Sequence, residues 1–237
     1  LKRTKKSFTV GRCEQCLIKQ FNNLNALSKE ELSRISDSKD VHIFKKGEVI
    51  FDEGKFSSGV YCIKDGVCKL SQLNANGKEQ IVKFSKKGDL IGYHSAITHE
   101  PSTIKVTALN DVAACYIPQD LIKKPLEENP KFAGAMFKTV CSDLKEANNA
   151  ITNISTNTVH QRMADLILFL KETYGVDNNN TINIQLSRKE IASSVGTATE
   201  SAIRILSGFK KDGLIDLDGK AIVILDEEEL KHLAEGI

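Results

Sequence analysis

The chain has 237 residues, of which 41% are hydrophobic and 27% charged, with a formal net charge of +2. That length supports one large domain or two ordinary ones, each with a core, and the composition excludes a disordered or low-complexity chain. The near balance of charge excludes a uniformly basic nucleic-acid coat, so any anion-binding surface must come from local clustering.

The first twelve residues, LKRTKKSFTVGR, carry five basic side chains and no acidic one. They read either as a solvated arm or as an arm that touches an anionic partner. "CEQC" follows at 13–16, so residues 1–20 form a basic arm ending in a cysteine pair. No stretch reaches the length of a membrane span and no secretory leader is visible. Six cysteines without a leader point to a reducing, cytoplasmic setting with no membrane partner. Free buried thiols are then expected for Cys62 and Cys68, in strand-like runs, and for Cys141, in a helical one.

Residues 22–37 have the spacing of a short amphipathic helix, with Ser28 and Glu31 as a capping box at its start. Residues 41–117 change character: short β-type runs are broken by glycine every roughly ten residues, the pattern of an antiparallel barrel or sandwich. Asn76-Gly77 marks a hairpin between two of these runs. Helical spacing returns near 119. Met136, Val140, Leu144, Ala147, Ile151 and Ile154 make one narrow apolar stripe on a long helix. The stripe suits either a second copy of itself in a parallel homodimer or the chain's own barrel. A helix over 158–173 follows, then the polar turn cluster "YGVDNNNTINIQL" leading into a short strand.

The segment "SRKEIASSVGTATESAIRILSGFKKDGLI" holds two short helices joined at Gly196. Ser187 with Glu190 predicts one capping box, and Thr197 with Glu200 a second. Two capped helices around a glycine turn predict a helix-turn-helix. On its second helix Ala198, Ala202, Ile205, Leu206 and Phe209 share a face expected to be buried. Glu200, Arg204, Ser207 and Lys211 line the opposite face. Arg donates two hydrogen bonds to guanine and Glu accepts one from cytosine in the major groove, so this face suits base reading; an ordinary solvated face with an ion pair is the alternative. Ile203, on the shoulder, suits a thymine methyl or a neighbouring helix. Asp218-Gly219 predicts a hairpin turn, hence a wing that rests on phosphates. Ser187, Arg188, Thr197, Thr199 and Ser201 complete the candidate DNA-binding set.

A barrel, a long dimer-type helix and a winged helix-turn-helix, in this order, resemble the CRP/FNR family of regulators. The likeness rests chiefly on "KKGDLIGYHSA", "LSRKEIASSVGTATESAIRIL" and "DGKAIVIL". It implies an α+β chain: an antiparallel barrel of the double-stranded β-helix (jelly-roll) type over 21–126, resembling the cyclic-nucleotide-binding domain, a dimerisation helix over 127–156 and a winged helix-turn-helix over 157–237. It implies a homodimer that reads double-stranded DNA at a two-fold symmetric site, with Glu200 and Arg204 matching the family's pair on a recognition helix over 198–211. RNA polymerase and a small-molecule or redox effector are the further partners it implies.

The effector is less determined. Positions matching the family's ligand pocket are Gly92, Tyr93, His94, Ser102 and Thr103. Cyclic-nucleotide binders carry a Glu where Tyr93 stands and an Arg near Ser102 and Thr103, and no Arg lies between 35 and 161. Lys105 is nearby, but a lysine does not supply the guanidinium fork, so tight cyclic-AMP binding is not expected. His94 matches a haem-ligating His in the carbon-monoxide-sensing member, whose Cys two residues earlier is Gly92 here. Oxygen-sensing members hold a four-iron cluster through three N-terminal cysteines and one in the barrel. Cys13, Cys16 and Cys115 match three of these, but the register for the remaining one gives Phe21-Asn22-Asn23. An iron–sulfur cluster or zinc at Cys13, Cys16 and Cys115 is therefore one reading, and a redox-sensitive or vestigial pair is another. A thiol–disulfide oxidoreductase using Cys13 and Cys16 is the enzyme alternative, though no strand run precedes the pair. No other catalytic constellation is visible, so the expectation is a regulator rather than an enzyme.

Overall fold

The computed structural model describes residues 11–236. The reading of the basic arm falls mostly on residues outside that range. The described chain divides into two compact units: one runs to Gln72 and resumes over Val82–Asp143, and the other takes Leu73–Ile81 and continues from Leu144.

The first unit opens with three short 3-10 turns, Cys13–Gln15, Leu17–Phe21 and Asn23–Ala26, before α1 (Lys29–Ser38). The helix expected over 22–37 therefore starts later. Ser28 is the reason: its Oγ accepts from the Glu31 amide at 3.2 Å, and Glu31 returns a carboxylate to the Ser28 amide at 2.6 Å. That capping box fixes Ser28 in extended backbone and sets the first helical residue after it.

Eight strands follow: β1 (Asp40–Phe44), β2 (Val49–Phe51), β3 (Gly59–Asp65), β4 (Cys68–Leu73), β5 (Glu79–Ser85), β6 (Leu90–Ile91), β7 (Lys105–Ala108) and β8 (Val112–Pro118), with the short α2 (Tyr93–Thr98) after β6. They form two four-stranded sheets, ordered β1-β8-β3-β6 and β2-β7-β4-β5. Ile63, Val106, Val112 and Ala114 pack with Phe44, Phe51 and Tyr61 in one core cluster. Alternate residues of β3 and β8 belong to another, in which Val60, Cys62, Cys115 and Ile117 meet Cys13, Leu24 and Ile35. The period of two along a strand makes this division.

After β8 come α3 (Asp120–Glu128) and α4 (Pro130–Thr156), separated at Asn129. Asn129 Oδ1 accepts from the amides of Lys131 and Phe132, both at 3.1 Å, and Pro130 opens the helix where its missing N–H costs nothing. The long helix expected from 127 thus begins at Pro130. Its apolar stripe is split. Met136 is buried in the chain's own core beside Phe132, whereas Val140, Leu144, Ala147, Ile151 and Ile154 are exposed, as is Phe137.

The second unit contains α5 (Val159–Tyr174), α6 (Arg188–Val195), α7 (Thr199–Lys211), β9 (Ile215–Asp218), β10 (Ala221–Ile224) and α8 (Glu227–Glu235). The strand expected after the polar turn cluster is reduced to isolated bridges, Val176 to Ile182 and Thr181 to Val223. Among the described residues no helix is long and apolar enough to cross a membrane.

A recognition helix and a thiol-lined cavity

In the second unit α6 ends at Gly196, whose φ of 68° and ψ of 44° are left-handed, a region glycine enters without steric cost. The amides of Gly196 and Thr197 both bond the Ala192 carbonyl, the latter at 3.0 Å. Thr197 is thus committed to closing α6. The second capping box expected from Thr197 and Glu200 does not form: Ala198 is the N-cap of α7, and no side chain caps it. Ala198, placed on the buried face by spacing, is exposed because it precedes the helix. Ala202, Ile205, Leu206 and Phe209 are buried as their spacing requires.

The opposite face is open. Glu200, Arg204, Ser207 and Lys211 are all exposed, as is Ile203 beside them. Neither the Glu200 nor the Arg204 side chain has a hydrogen-bond or ion-pair partner among the described residues. Thr199 and Ser201 stand half-buried in the first turn of α7. The capping box at Ser187 is complete: Glu190 N donates to Ser187 Oγ at 3.2 Å, and Ser187 N donates to Glu190 Oε2 at 2.7 Å.

The wing turn is displaced by one residue from its expected position. Asp218 pairs with Ala221, so the two loop residues are Gly219 and Lys220 rather than Asp218 and Gly219. Gly219 takes φ 56°, and the exposed Lys220 occupies the tip, a cation that the motif reading missed. Arg188 braces this turn, donating from Nη2 to the Gly219 carbonyl at 2.8 Å, while its Nη1 is buried without a partner. Burial lowers the Arg188 pKa from its ordinary value.

In the first unit the positions matching a ligand pocket lie at the start of α2 and in the segment before β7. Gly92 is left-handed at φ 84°, and Tyr93 Oη bonds Asp143 Oδ2, which sits on α4 beside Lys83. His94 and Thr103 are exposed. Ser102 is buried and spends its hydroxyl on the Ile104 carbonyl at 2.8 Å. The neighbouring core is apolar and aromatic, with Phe51 stacked on Tyr61 at a centroid distance of 6.3 Å.

The cysteines behave differently. The 3-10 turn Cys13–Gln15 brings Cys16 N onto the Cys13 carbonyl at 3.2 Å, folding the pair over the outer face of the β3–β8 sheet. A cavity of about 220 Å³ there is lined by Cys13, Cys16 and Cys115, the three expected ligands, together with Cys62. Lys39 Nζ donates to Cys13 Sγ at 3.1 Å and to the Gly11 carbonyl at 2.6 Å, and Arg12, Lys19 and Lys64 also line the space. Burial pushes the Cys62 thiol up to about 12 and raises Cys115, where Lys39 and Lys64 act in the opposite sense. A larger cleft between α1 and α3, of about 370 Å³, has a mixed lining of acids and bases and no thiol.

Sequence reasoning expected Cys62 as a free buried thiol and did not place it beside Cys115. The signal was present: "YC" at 61–62 and "CY" at 115–116 are mirror dipeptides, and antiparallel pairing sets Tyr61 on Tyr116 and Cys62 on Cys115.

A jelly-roll sensor unit followed by a winged helix-turn-helix defines a DNA-binding transcription regulator, and comparison with known proteins agrees. The cyclic nucleotide-binding domain matches residues 41–129 and the Crp-like helix-turn-helix domain matches 161–233. The anaerobic regulatory protein of Haemophilus influenzae is 28% identical over 93% of this chain and 87% of its own length. The transcriptional activator protein anr of Pseudomonas aeruginosa is 25% identical over 95% and 93%. Among solved structures, a crp/fnr-family regulator from Eubacterium rectale shares the fold with a TM-score of 0.77 at 21% identity, covering 91% of this chain and 99% of that one. The chain belongs to the CRP/FNR family of transcription regulators.

Proposed function

We propose that the protein regulates transcription as a homodimer, each α7 entering the major groove of one half of a two-fold symmetric site. The observation that carries this reading is the unpartnered, exposed pair Glu200 and Arg204 on the face of α7 opposite its buried residues. Ser187, Thr197, Thr199, Ser201, Ser207 and Lys211 then surround the base-reading pair, with Arg188 and Lys220 presenting the wing to phosphate. The exposed stripe on α4 supports the dimer. RNA polymerase is the partner this function requires, and the compartment is the one that holds the DNA. Binding-site selection from random duplexes should yield an inverted repeat. Arg204→Ala should then lose site preference with a smaller loss of non-specific affinity, and retention of the preference would overturn the assignment.

The effector reading is a metal or redox centre at Cys13, Cys16 and Cys115. Their meeting on one cavity supports it, as does likeness to a relative named an anaerobic regulatory protein. The donor chemistry fits: soft thiolates with cations beside them suit iron–sulfur centres or zinc. A cluster there would supply oxygen-labile chemistry. Catalysis by the cysteine pair is not part of this reading, and turnover in an insulin-reduction assay would contradict it.

A further inference from the structure

We infer that the centre is an iron–sulfur cluster and that its fourth thiolate is Cys62. This rests on the sensor reading above and adds a ligand that the N-terminal segment does not contain. Where a further cysteine would follow Cys16, the chain has Phe21, Asn22 and Asn23. The structure fills that place from elsewhere. Asn22 Nδ2 donates to Cys62 Sγ at 3.4 Å, while also holding the Gly88 carbonyl at 2.9 Å. The segment that lacks the thiol therefore lies against a thiol supplied by β3.

Cys62 is delivered by strand register. It stands directly opposite Cys115, and opposed antiparallel residues project to one side with Cα atoms about 4.5–5.5 Å apart. The sheet thus contributes two adjacent thiols and the 3-10 turn contributes Cys13 and Cys16, all on one cavity. Two cysteines lie outside it: Cys68 is buried in the other core cluster, and Cys141 is exposed on α4.

The arrangement separates a cluster from a single ion. The four thiols stand around a cavity of about 220 Å³, and among the described residues no group of three or more His, Cys, Asp or Glu is already placed to hold a metal ion. Zinc held by all four thiolates would need their sulfurs about 2.3 Å from one centre. In a four-iron cluster each thiolate binds its own iron, so the sulfurs surround a volume instead of a point. On ligation each thiol releases its proton to solvent, and the negative charge so created meets the buried Lys39 ammonium at Cys13. N–H donors from Asn22 and Lys39 onto ligand sulfurs are the outer contacts such centres use.

The test uses the full chain, purified without oxygen and reconstituted with ferrous iron and sulfide. Wild type should take up iron and acid-labile sulfide in equal amounts, with broad visible absorption. Cys62→Ser and Cys62→Ala should each retain less than about a tenth of that sulfide, and Cys16→Ser and Cys115→Ser should do the same. Cys68→Ser and Cys141→Ser should match wild type. Thermal melts of the metal-free chains identify any variant that has lost its fold. Asn22→Cys in the Cys62→Ser background should recover sulfide, because position 22 adjoins the missing sulfur; that rescue separates ligation from folding. If Cys62 variants keep wild-type sulfide while Cys16→Ser and Cys115→Ser lose it, Cys62 is not a ligand and the sensor reading survives. Zinc uptake without sulfide overturns the cluster. A wild type that takes up no metal overturns the sensor reading itself.

Discussion

Replacing Leu144 and Ile151 on α4 by aspartate tests the proposed homodimer most directly. The two side chains are 61% and 66% exposed in the single chain. Complete burial of such a side chain is worth about 1.5–3 kcal/mol, so at these exposures each has about 1–2 kcal/mol still to gain from a partner. Symmetry doubles the sum, and the double variant should remove about 4–8 kcal/mol from dimer formation. At about 1.4 kcal/mol per decade, that weakens association by roughly three to six orders of magnitude, before any cost of burying the new carboxylates. Sedimentation equilibrium across nanomolar to micromolar protein measures it. The variant should sediment as a monomer and lose affinity for an inverted repeat while keeping the helical signal of the folded chain. A dimer constant within tenfold of wild type would refute the placement of the interface on this stripe.

Gly196 should tolerate substitution according to backbone alone. An added Cβ would meet nothing nearer than 3.8 Å, so Gly196→Ala should cost about 1–2 kcal/mol in urea denaturation, Gly196→Asn less and Gly196→Val more. Titration calorimetry with cyclic AMP should show no binding at micromolar concentration, because the barrel carries no arginine to fork onto the phosphate; micromolar affinity would contradict that reading. Asn23→Ala should leave iron and sulfide content intact but reduce the difference in DNA affinity between loaded and metal-free protein. An unchanged difference would show that Asn23 carries no coupling.

What could be read in advance divides by the range of the interaction. Ser28 with Glu31 and Ser187 with Glu190 are local bargains between a hydroxyl, a carboxylate and nearby amides, and both capping boxes formed. The buried face of α7 followed from helical period alone. Thr197 failed as a cap because its amide was already engaged by the end of α6, which pattern matching of one helix does not see. Met136 left the stripe for the same kind of reason: Phe132 one turn earlier draws that face of α4 into the core. Cys62 was invisible to spacing, since 53 residues separate it from Cys115 and only strand register joins them.

That register also explains why a change at the thiols would not stay local. Cys13, Cys62 and Cys115 belong to the same packed cluster as Phe132 and Met136 at the start of α4. Asn23, two turns beyond Cys16, donates to Met136 Sδ at 2.8 Å and to Thr139 Oγ1 at 3.0 Å. Asn22, its neighbour, holds Cys62. Close-packed cores transmit displacement instead of absorbing it. Ordering or releasing the Cys16–Asn23 segment therefore acts on the helix whose later turns expose Leu144, Ile151 and Ile154. The link is a set of hydrogen bonds one residue apart, Asn22 to the Cys62 sulfur and Asn23 to α4, and its strength is what the Asn23 substitution measures.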